Sequence, residues 1–260
     1  MTREPVPERF NMARYCLADR PAGRLGLLVA HGEGTGEDTE TWTYGELRDA
    51  TLRVAHGLLA AGLRPGDRVM LRLGNEAACP LAFFGALAAG LVALPSSPML
   101  TEAEARFVLQ DAGAAALVVG EGLELAAPPE EARVVPAATI RALATAGPML
   151  ADFAGTAADD PAFLVYTSGT TGKPKGVLHA HRSAWGRRPK YRGWEGLGPD
   201  DRVLHAGAFN WTYTLGVGLT DPWANGATAA IYSGPRDAKV WPRLIERLRP
   251  TIFATVPGLY

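Results

Sequence analysis

Lysine is scarce in this chain. Its 260 residues hold Lys173, Lys175, Lys190 and Lys239 and no others, so arginine carries nearly all the basic charge. Neither sign is in large excess: the formal net charge is −1 and the pI is near 6.5. That leaves no basic field to hold nucleic acid or an anionic membrane. Cysteine is scarcer still. Cys16 and Cys79 lie far apart and no C-x-x-C spacing occurs, which argues against a disulfide scaffold and fits a reducing, cytoplasmic setting. No apolar core follows the first seven residues, so no secretory signal is read. One charge-free run, 77–94, reaches the length of a membrane span. Pro80, Gly85 and Gly90 interrupt it, and the expectation is a buried helix over 81–89 followed by a strand around 91–94. Metal ligands are also thin. His179 and His181 alternate along an apolar segment with no carboxylate or cysteine beside them, so they are read as structural and no metal site is expected.

What is present is a globular composition, 47% hydrophobic with a mean hydropathy of zero. The length allows one large domain or two small ones. Apolar residues at Leu47, Leu52, Ala55, Leu58 and Leu59 give 44–61 a helical period, stopped by Gly62. Arg64-Pro65-Gly66-Asp67 turns the chain into a strand at 68–73. Thr101 and Glu104 form a capping box for a helix to Asp111, and 115–119 reads as the next strand. This alternation predicts a parallel-type α/β sheet over 1–119. Residues 120–160 thin into Ala, Pro and acidic residues and read as a variable connector, with a short strand at 133–135. Beyond it come strands at 202–206, 227–232 and 251–256, a buried helix from 212 to 219 and a helix at 240–248.

The most informative stretch is Tyr166-Thr167-Ser168-Gly169-Thr170-Thr171-Gly172-Lys173-Pro174-Lys175-Gly176. Two of the chain's lysines fall in these eleven residues, with three glycines and four Ser/Thr hydroxyls. A buried strand, 162–166, feeds the run, and apolar order resumes at 177–181. Glycines let backbone N–H groups converge, hydroxyls donate and ammonium groups neutralise charge, which suits a polyphosphate. A flexible surface turn is the plain competitor, but it does not account for the apolar strand or for lysines on both sides of a proline. A Walker A loop fails on residues: it needs glycine where Thr167 stands and Ser or Thr where Pro174 stands.

The run resembles the signature loop of the adenylate-forming superfamily, which includes acyl-CoA synthetases, peptide-synthetase adenylation domains and luciferases. Thr43-Tyr44-Gly45-Glu46-Leu47, Ala89-Gly90 through Pro95 and Pro98, and Val256-Pro257-Gly258-Leu259-Tyr260 resemble further family segments in the right order. Phe10-Asn11-Met12-Ala13 and Asp221-Pro222-Trp223 look most like benzoate-type and medium-chain acyl-CoA synthetases. The resemblance implies the layered α/β sandwich of that superfamily's N-terminal domain, with 161–260 as its phosphate-loop portion. It also implies activation of an aromatic or medium-chain carboxylic acid by ATP with Mg²⁺, then transfer to coenzyme A. On the same ground Thr167, Ser168, Gly169, Thr170, Thr171, Gly172, Lys173 and Gly176 would contact the ATP phosphates. Lys175 would stabilise leaving-group charge as the catalytic residue, and Asn210 and Trp211 would face the acyl group. Trp211 reads equally well as a core aromatic beside Phe209 and Tyr213. Trp42, Tyr44 and Glu46 are expected to hold the fold.

The family's adenine, ribose, hinge and C-terminal lysine segments, and the carboxylate that usually ligates Mg²⁺, are not found in these residues. The expectation is therefore the N-terminal portion of a synthetase, incomplete at the C-terminus, inactive alone and possible to complete with a C-terminal half. The alternative is a non-catalytic nucleotide-binding or partner module that retains the loop.

Overall fold

The computed structural model describes residues 4–32, 39–167, 174–235 and 237–256. In chain order, α1 (Met12–Leu17) precedes β1 (Leu25–His31), β2 (Thr39–Thr43), α2 (Tyr44–Ala60), β3 (Arg68–Arg72), α3 (Ala78–Ala88), β4 (Val92–Ser96) and α4 (Glu102–Asp111). Then come β5 (Ala116–Val119), β6 (Arg133–Pro136), α5 (Ala137–Thr145), β7 (Pro161–Thr167), β8 (Lys175–Ala180), α6 (Ser183–Gly186) and α7 (Arg188–Gly193). The last elements are β9 (Arg202–His205), α8 (Thr212–Leu215), a π-helical turn (Gly216–Thr220), α9 (Asp221–Ala224), β10 (Thr228–Ser233), α10 (Val240–Leu248) and β11 (Ile252–Ala254).

The strands form two sheets, β11-β9-β10-β1-β2 and β6-β5-β3-β4-β7-β8. Pairing is parallel except for β1 with β2 and β7 with β8. The sheets are therefore mixed rather than purely parallel, because two hairpins close on one edge of each. The chain crosses between the sheets, so β1 pairs with β2 and with the late strand β10 rather than with β3.

α3 explains the layering. All eleven of its residues are buried, and a helix apolar on every side has to be covered on every side. It packs on α1, α2 and α5 and on β3 and β4. Phe83 meets Phe163 of β7 at 5.7 Å, while Phe84 meets Trp223 of α9 at 4.7 Å. Trp223 in turn donates from Nε1 to the Gly26 carbonyl of β1 at 2.8 Å. The charge-free run 77–94 is thus this helix and β4, and among the described residues no helix is long and apolar enough to cross a membrane. Gly85 sits where α2 crosses: a Cβ there would come within 2.9 Å of the Val54 Cβ.

Local signals explain the other starts. Thr43 and Glu46 cap α2 reciprocally: the Glu46 carboxylate accepts from the Thr43 N–H at 2.7 Å and from its hydroxyl at 2.8 Å. Those bonds hold the Glu46 carboxyl below the usual range. Thr101 and Glu104 repeat the device on α4. The Tyr44 hydroxyl donates to the Ala227 carbonyl at 2.6 Å, tying α2 to the first sheet. Segment 120–160 carries β6 and α5, whose buried Ala137, Ile140 and Ala144 recur at helical spacing.

Helix α8, the π turn and α9 run on as one irregular helix. Asp221 is 0% exposed there and takes a two-pronged bond from Arg187, at 2.6 and 2.5 Å, and an ion pair from Lys190 at 2.8 Å. Lys190 also pairs with Glu195 at 2.7 Å. Removing one partner from such a network leaves a buried charge uncompensated. Asp221→Ala should therefore cost about 3–5 kcal/mol in urea unfolding, and Asp221→Leu with Arg187→Met should regain most of it. A single variant within about 0.5 kcal/mol of wild type would show that the network carries no stability.

Candidate functional site

Parallel strands send their loops out at one edge, and ligands of open α/β sheets bind beyond the carboxyl ends of the strands. Here a cavity of about 700 Å³ opens beyond the ends of β9, β10 and β11 in one sheet and of β3 and β4 in the other. Gly74 and Asn75 after β3, Met99 after β4, Ala206 to Ala208 after β9, Gly234 after β10 and Val256 after β11 all reach it. Trp211 and Tyr213, at the start of the irregular helix, and Trp241 of α10 complete a largely aromatic wall.

Asn75 joins the two sheets at the cavity. Its Nδ2 donates to the Gly207 carbonyl at 2.9 Å, and its Oδ1 accepts from the Phe209 N–H at 3.3 Å. Between these, His205 ends β9. It is 2% exposed, its Nδ1 accepts from the Gly207 N–H at 2.9 Å, and its ring meets Tyr213 edge to face at 4.8 Å. Glycine is required on both sides of the ring: a Cβ on Gly207 would lie 2.9 Å from His205 Cε1, and one on Gly218 would lie 2.8 Å from His205 Cβ. Burial lowers the His205 pKa to about 4, so the ring is neutral near pH 7. Tyr232 and Trp241, both at the cavity, and Phe253 behind Trp241 pack in series at 5.6 and 5.7 Å between ring centres.

Of the residues expected to grip phosphate, Thr167 and Lys175 face each other in register where β7 ends and β8 begins. Lys175 is the first residue of β8, exposed and held on a strand rather than within a loop. Gly176 lies opposite Tyr166, and a Cβ there would come 3.1 Å from Leu164 and 3.4 Å from the Tyr166 ring. Ser168, Gly169, Thr170, Thr171, Gly172 and Lys173 lie outside the described residues. Trp211 lines the cavity and is 63% exposed, whereas Phe209, 3% exposed, is the core aromatic. Asn210 is not among the cavity-lining residues, and its Oδ1 is buried with no hydrogen-bond partner. His205, Tyr213, Asn75 and Trp241 were not foreseen as site residues. The one signal for His205 is its place at the end of a recognisable strand, where α/β sites gather.

Groups for other chemistry are sparse. Among the described residues no three His, Cys, Asp or Glu side chains gather where they could hold a metal ion. Cys16 and Cys79 are buried, and burial pushes both thiols up to about 12, which makes neither a nucleophile. His179 stacks on Phe163 at 4.4 Å, and the buried His181 accepts from the Met12 N–H at 3.0 Å, which accounts for both as packing residues.

A mostly apolar cavity with a few converging polar groups at strand ends defines a small-molecule-binding α/β protein. The chain belongs to the AMP-binding enzyme family, whose model matches residues 19–260. It is 35% identical to a benzoate–CoA ligase of Thauera aromatica, over 98% of this chain and 50% of that protein. It is 34% identical to a 4-hydroxybenzoate–CoA/benzoate–CoA ligase of Rhodopseudomonas palustris, over 89% of this chain and 46% of that protein. The solved structure of a benzoate CoA ligase from Burkholderia xenovorans LB400 superposes with a TM-score of 0.84 at 31% identity, covering 96% of this chain and 51% of that one. The fold is accordingly that of the N-terminal domain of adenylate-forming enzymes, and the chain spans about half the length of the curated relatives it matches.

The two buried histidines give a pH prediction. His181 and His205 both have pKa values lowered to about 4 by burial. Unfolded, each would bind a proton near the ordinary value of about 6.5. The folded state therefore binds fewer protons in that window, and stability present above about pH 6.5 is lost as pH falls towards 4, on the order of 3 kcal/mol per histidine at the limit. Imidazole NMR should show both rings neutral at pH 5.5, with the urea midpoint already falling between pH 7 and 5.5. Rings that titrate at the ordinary value would contradict this.

Proposed function

We propose that this chain is the N-terminal portion of an ATP-dependent, AMP-forming acid–thiol ligase that activates an aromatic or medium-chain carboxylic acid and passes it to coenzyme A. The observation that carries the reading is the placement of the aromatic-walled cavity at the strand ends of the two-sheet fold; the β7–β8 pair flanks the segment read as the phosphate loop. Family membership and the benzoate-type relatives support the substrate class.

The chemistry asks the protein mainly for positioning and charge. ATP supplies the electrophilic α-phosphorus, and AMP is later displaced by the thiol. Thr167 and Lys175, paired in register at the last rung before the connecting segment, suit phosphate oxygens through a hydroxyl donor and a fixed positive charge. Ser168, Gly169, Thr170, Thr171, Gly172 and Lys173 would complete the cradle, with Gly176 allowing close backbone approach. Lys175 would meet charge as pyrophosphate departs, a stabilisation present only as the bond breaks. Trp211 and Tyr213 would hold the acyl group. In this reading 1–119 and 161–260 form the two portions joined by the connector 120–160. The adenine, ribose and thiol-transfer contacts come from the half of the family's length that these residues do not span, and Mg²⁺ ligands come from there too. A cytoplasmic site of action fits acyl-CoA formation.

Two outcomes are expected. Residues 1–260 alone should bind a non-hydrolysable benzoyl-adenylate by calorimetry yet release no AMP from ATP with benzoate or hexanoate. Absence of any binding would sink the reading, and turnover by the chain alone would refute the division of labour. In a ligase completed by the C-terminal half of a relative, Lys175→Ala should slow benzoate-dependent pyrophosphate exchange by about 10²–10³. Because Lys175 is exposed, the melting temperature should not change. A rate within a few-fold of wild type would remove Lys175 from the catalytic role.

A further inference from the structure

The irregular helix that begins at Thr212 borders two separate hollows. Trp211, Tyr213 and Thr214 line the large cavity, whereas Thr212, Leu215 and Gly216 line a crevice of about 90 Å³. The apolar side of that crevice is formed by Met12, Phe83 and Phe163. Its polar side is formed by Arg187, Ser183, Thr212 and His179, and among the described residues no carboxylate lines it.

Arg187 supplies the charge. Its Nε and Nη2 hold the buried Asp221, which lies outside the crevice, and Nη1 has no partner among the described residues. Glycine at 216 makes room for the guanidinium: a Cβ there would collide with Nη2 and fall 2.8 Å from Nη1. The side chains of Ser183, Thr212 and His179 likewise make no hydrogen bond among the described residues, although His179 stacks by its face on Phe163. Arg187 Nη1, the Ser183 hydroxyl and the His179 nitrogens are not sealed in the interior as His181 Nε2 is, and Thr212 is exposed. One cation and two free hydroxyls thus stand beside an apolar floor, with no acidic group to fill them.

We propose that this crevice is a second binding site, for a short-chain monocarboxylate. The carboxylate meets Arg187 Nη1 and the Ser183 and Thr212 hydroxyls, and the alkyl end rests on Met12, Phe83 and Phe163. Hydrogen bonds from a guanidinium and from hydroxyls to a carboxylate are charge-assisted, and the apolar floor favours a ligand with methyl or methylene groups over a bare inorganic anion. The volume is the share of about three waters at ~30 Å³ each, which suits an acid of two or three carbons and excludes an aryl ring. The site is separate from the large cavity and does not depend on reading that cavity as the acyl pocket.

The test titrates the 260-residue chain, ¹⁵N-labelled at arginine and histidine, with sodium propionate and with sodium chloride at matched ionic strength. Propionate should shift the Arg187 and His179 side-chain resonances saturably, half-complete at about 1 mM, a strength within reach of five heavy atoms. Chloride should shift them far less, and benzoate should leave both in place. Ser183→Ala and Thr212→Val leave the Asp221 network intact. Each should weaken propionate about tenfold, the increment of a hydrogen bond to a charged group, with the urea midpoint unchanged. An equal response to chloride would mean an adventitious ion only and would overturn the inference. Propionate shifts at Trp211 and Tyr213 in place of Arg187 and His179 would put the short acid in the large cavity and overturn it too, as would the absence of any saturable shift. Benzoyl-adenylate that fails to bind while propionate still moves Arg187 would sink the acyl-pocket reading and leave this site standing.

Discussion

The fold depends on α3, a helix with no polar face. Because none of its residues can meet water, the chain has to supply cover on all sides. It does so with β3 and β4 beneath, α1, α2 and α5 around the flanks, and the aromatic contacts of Phe83 with Phe163 and of Phe84 with Trp223. Those two contacts reach different layers: Phe163 belongs to the six-stranded sheet, and Trp223 is bonded to β1 of the five-stranded one. Burying one apolar helix is therefore what brings two sheets, built from interleaved stretches of chain, into one layered body.

The site follows from that juxtaposition. Neither sheet forms the cavity alone; it opens where the carboxyl ends of both converge, and Asn75 holds the seam by bonding from the β3 loop to the backbone after β9. The irregular helix that carries Trp211 and Tyr213 is fixed at its far end by the buried Asp221 with Arg187 and Lys190. The π-helical turn at Gly216–Thr220 sits between the aromatic wall and that anchor, a type of irregularity frequent beside functional sites. Rigid elements on both sides hold the His205 ring in place at the end of β9, against Tyr213 and the backbone of Gly207.

Much of this was legible in the sequence, for local reasons. The period of α2, the capping boxes, the Arg64–Asp67 turn into β3 and the charge-free stretch behind α3 and β4 are written within a few residues each. The two strands that flank the glycine- and hydroxyl-rich run were legible in the same way, as β7 and β8. What escaped was non-local. Leu25-Gly26-Leu27-Leu28-Val29-Ala30-His31 is an apolar run that becomes a central strand only because β10 arrives two hundred residues later, pairing Leu27 with Ala229. The helix α5 hid in an alanine-rich stretch whose burial is set by α2 and α3. Trp211 and Phe209, two positions apart, could not be assigned to wall and core until the backbone turned one outward and one inward. His205, Tyr213, Asn75 and Trp241 form a site only in three dimensions, since no spacing in the chain links a strand end at 205 to a loop at 75.

The central claim is that one cavity at the junction of two sheets receives the acid. A crystal structure of the chain with a non-hydrolysable aroyl-adenylate tests it most directly. The account predicts the aryl ring among Trp211, Tyr213 and His205, and the phosphate directed to Thr167 and Lys175. An aryl group seated elsewhere, for example in the small crevice of about 90 Å³ beside His179 and Arg187, or a phosphate turned away from the β7–β8 hairpin, would contradict it.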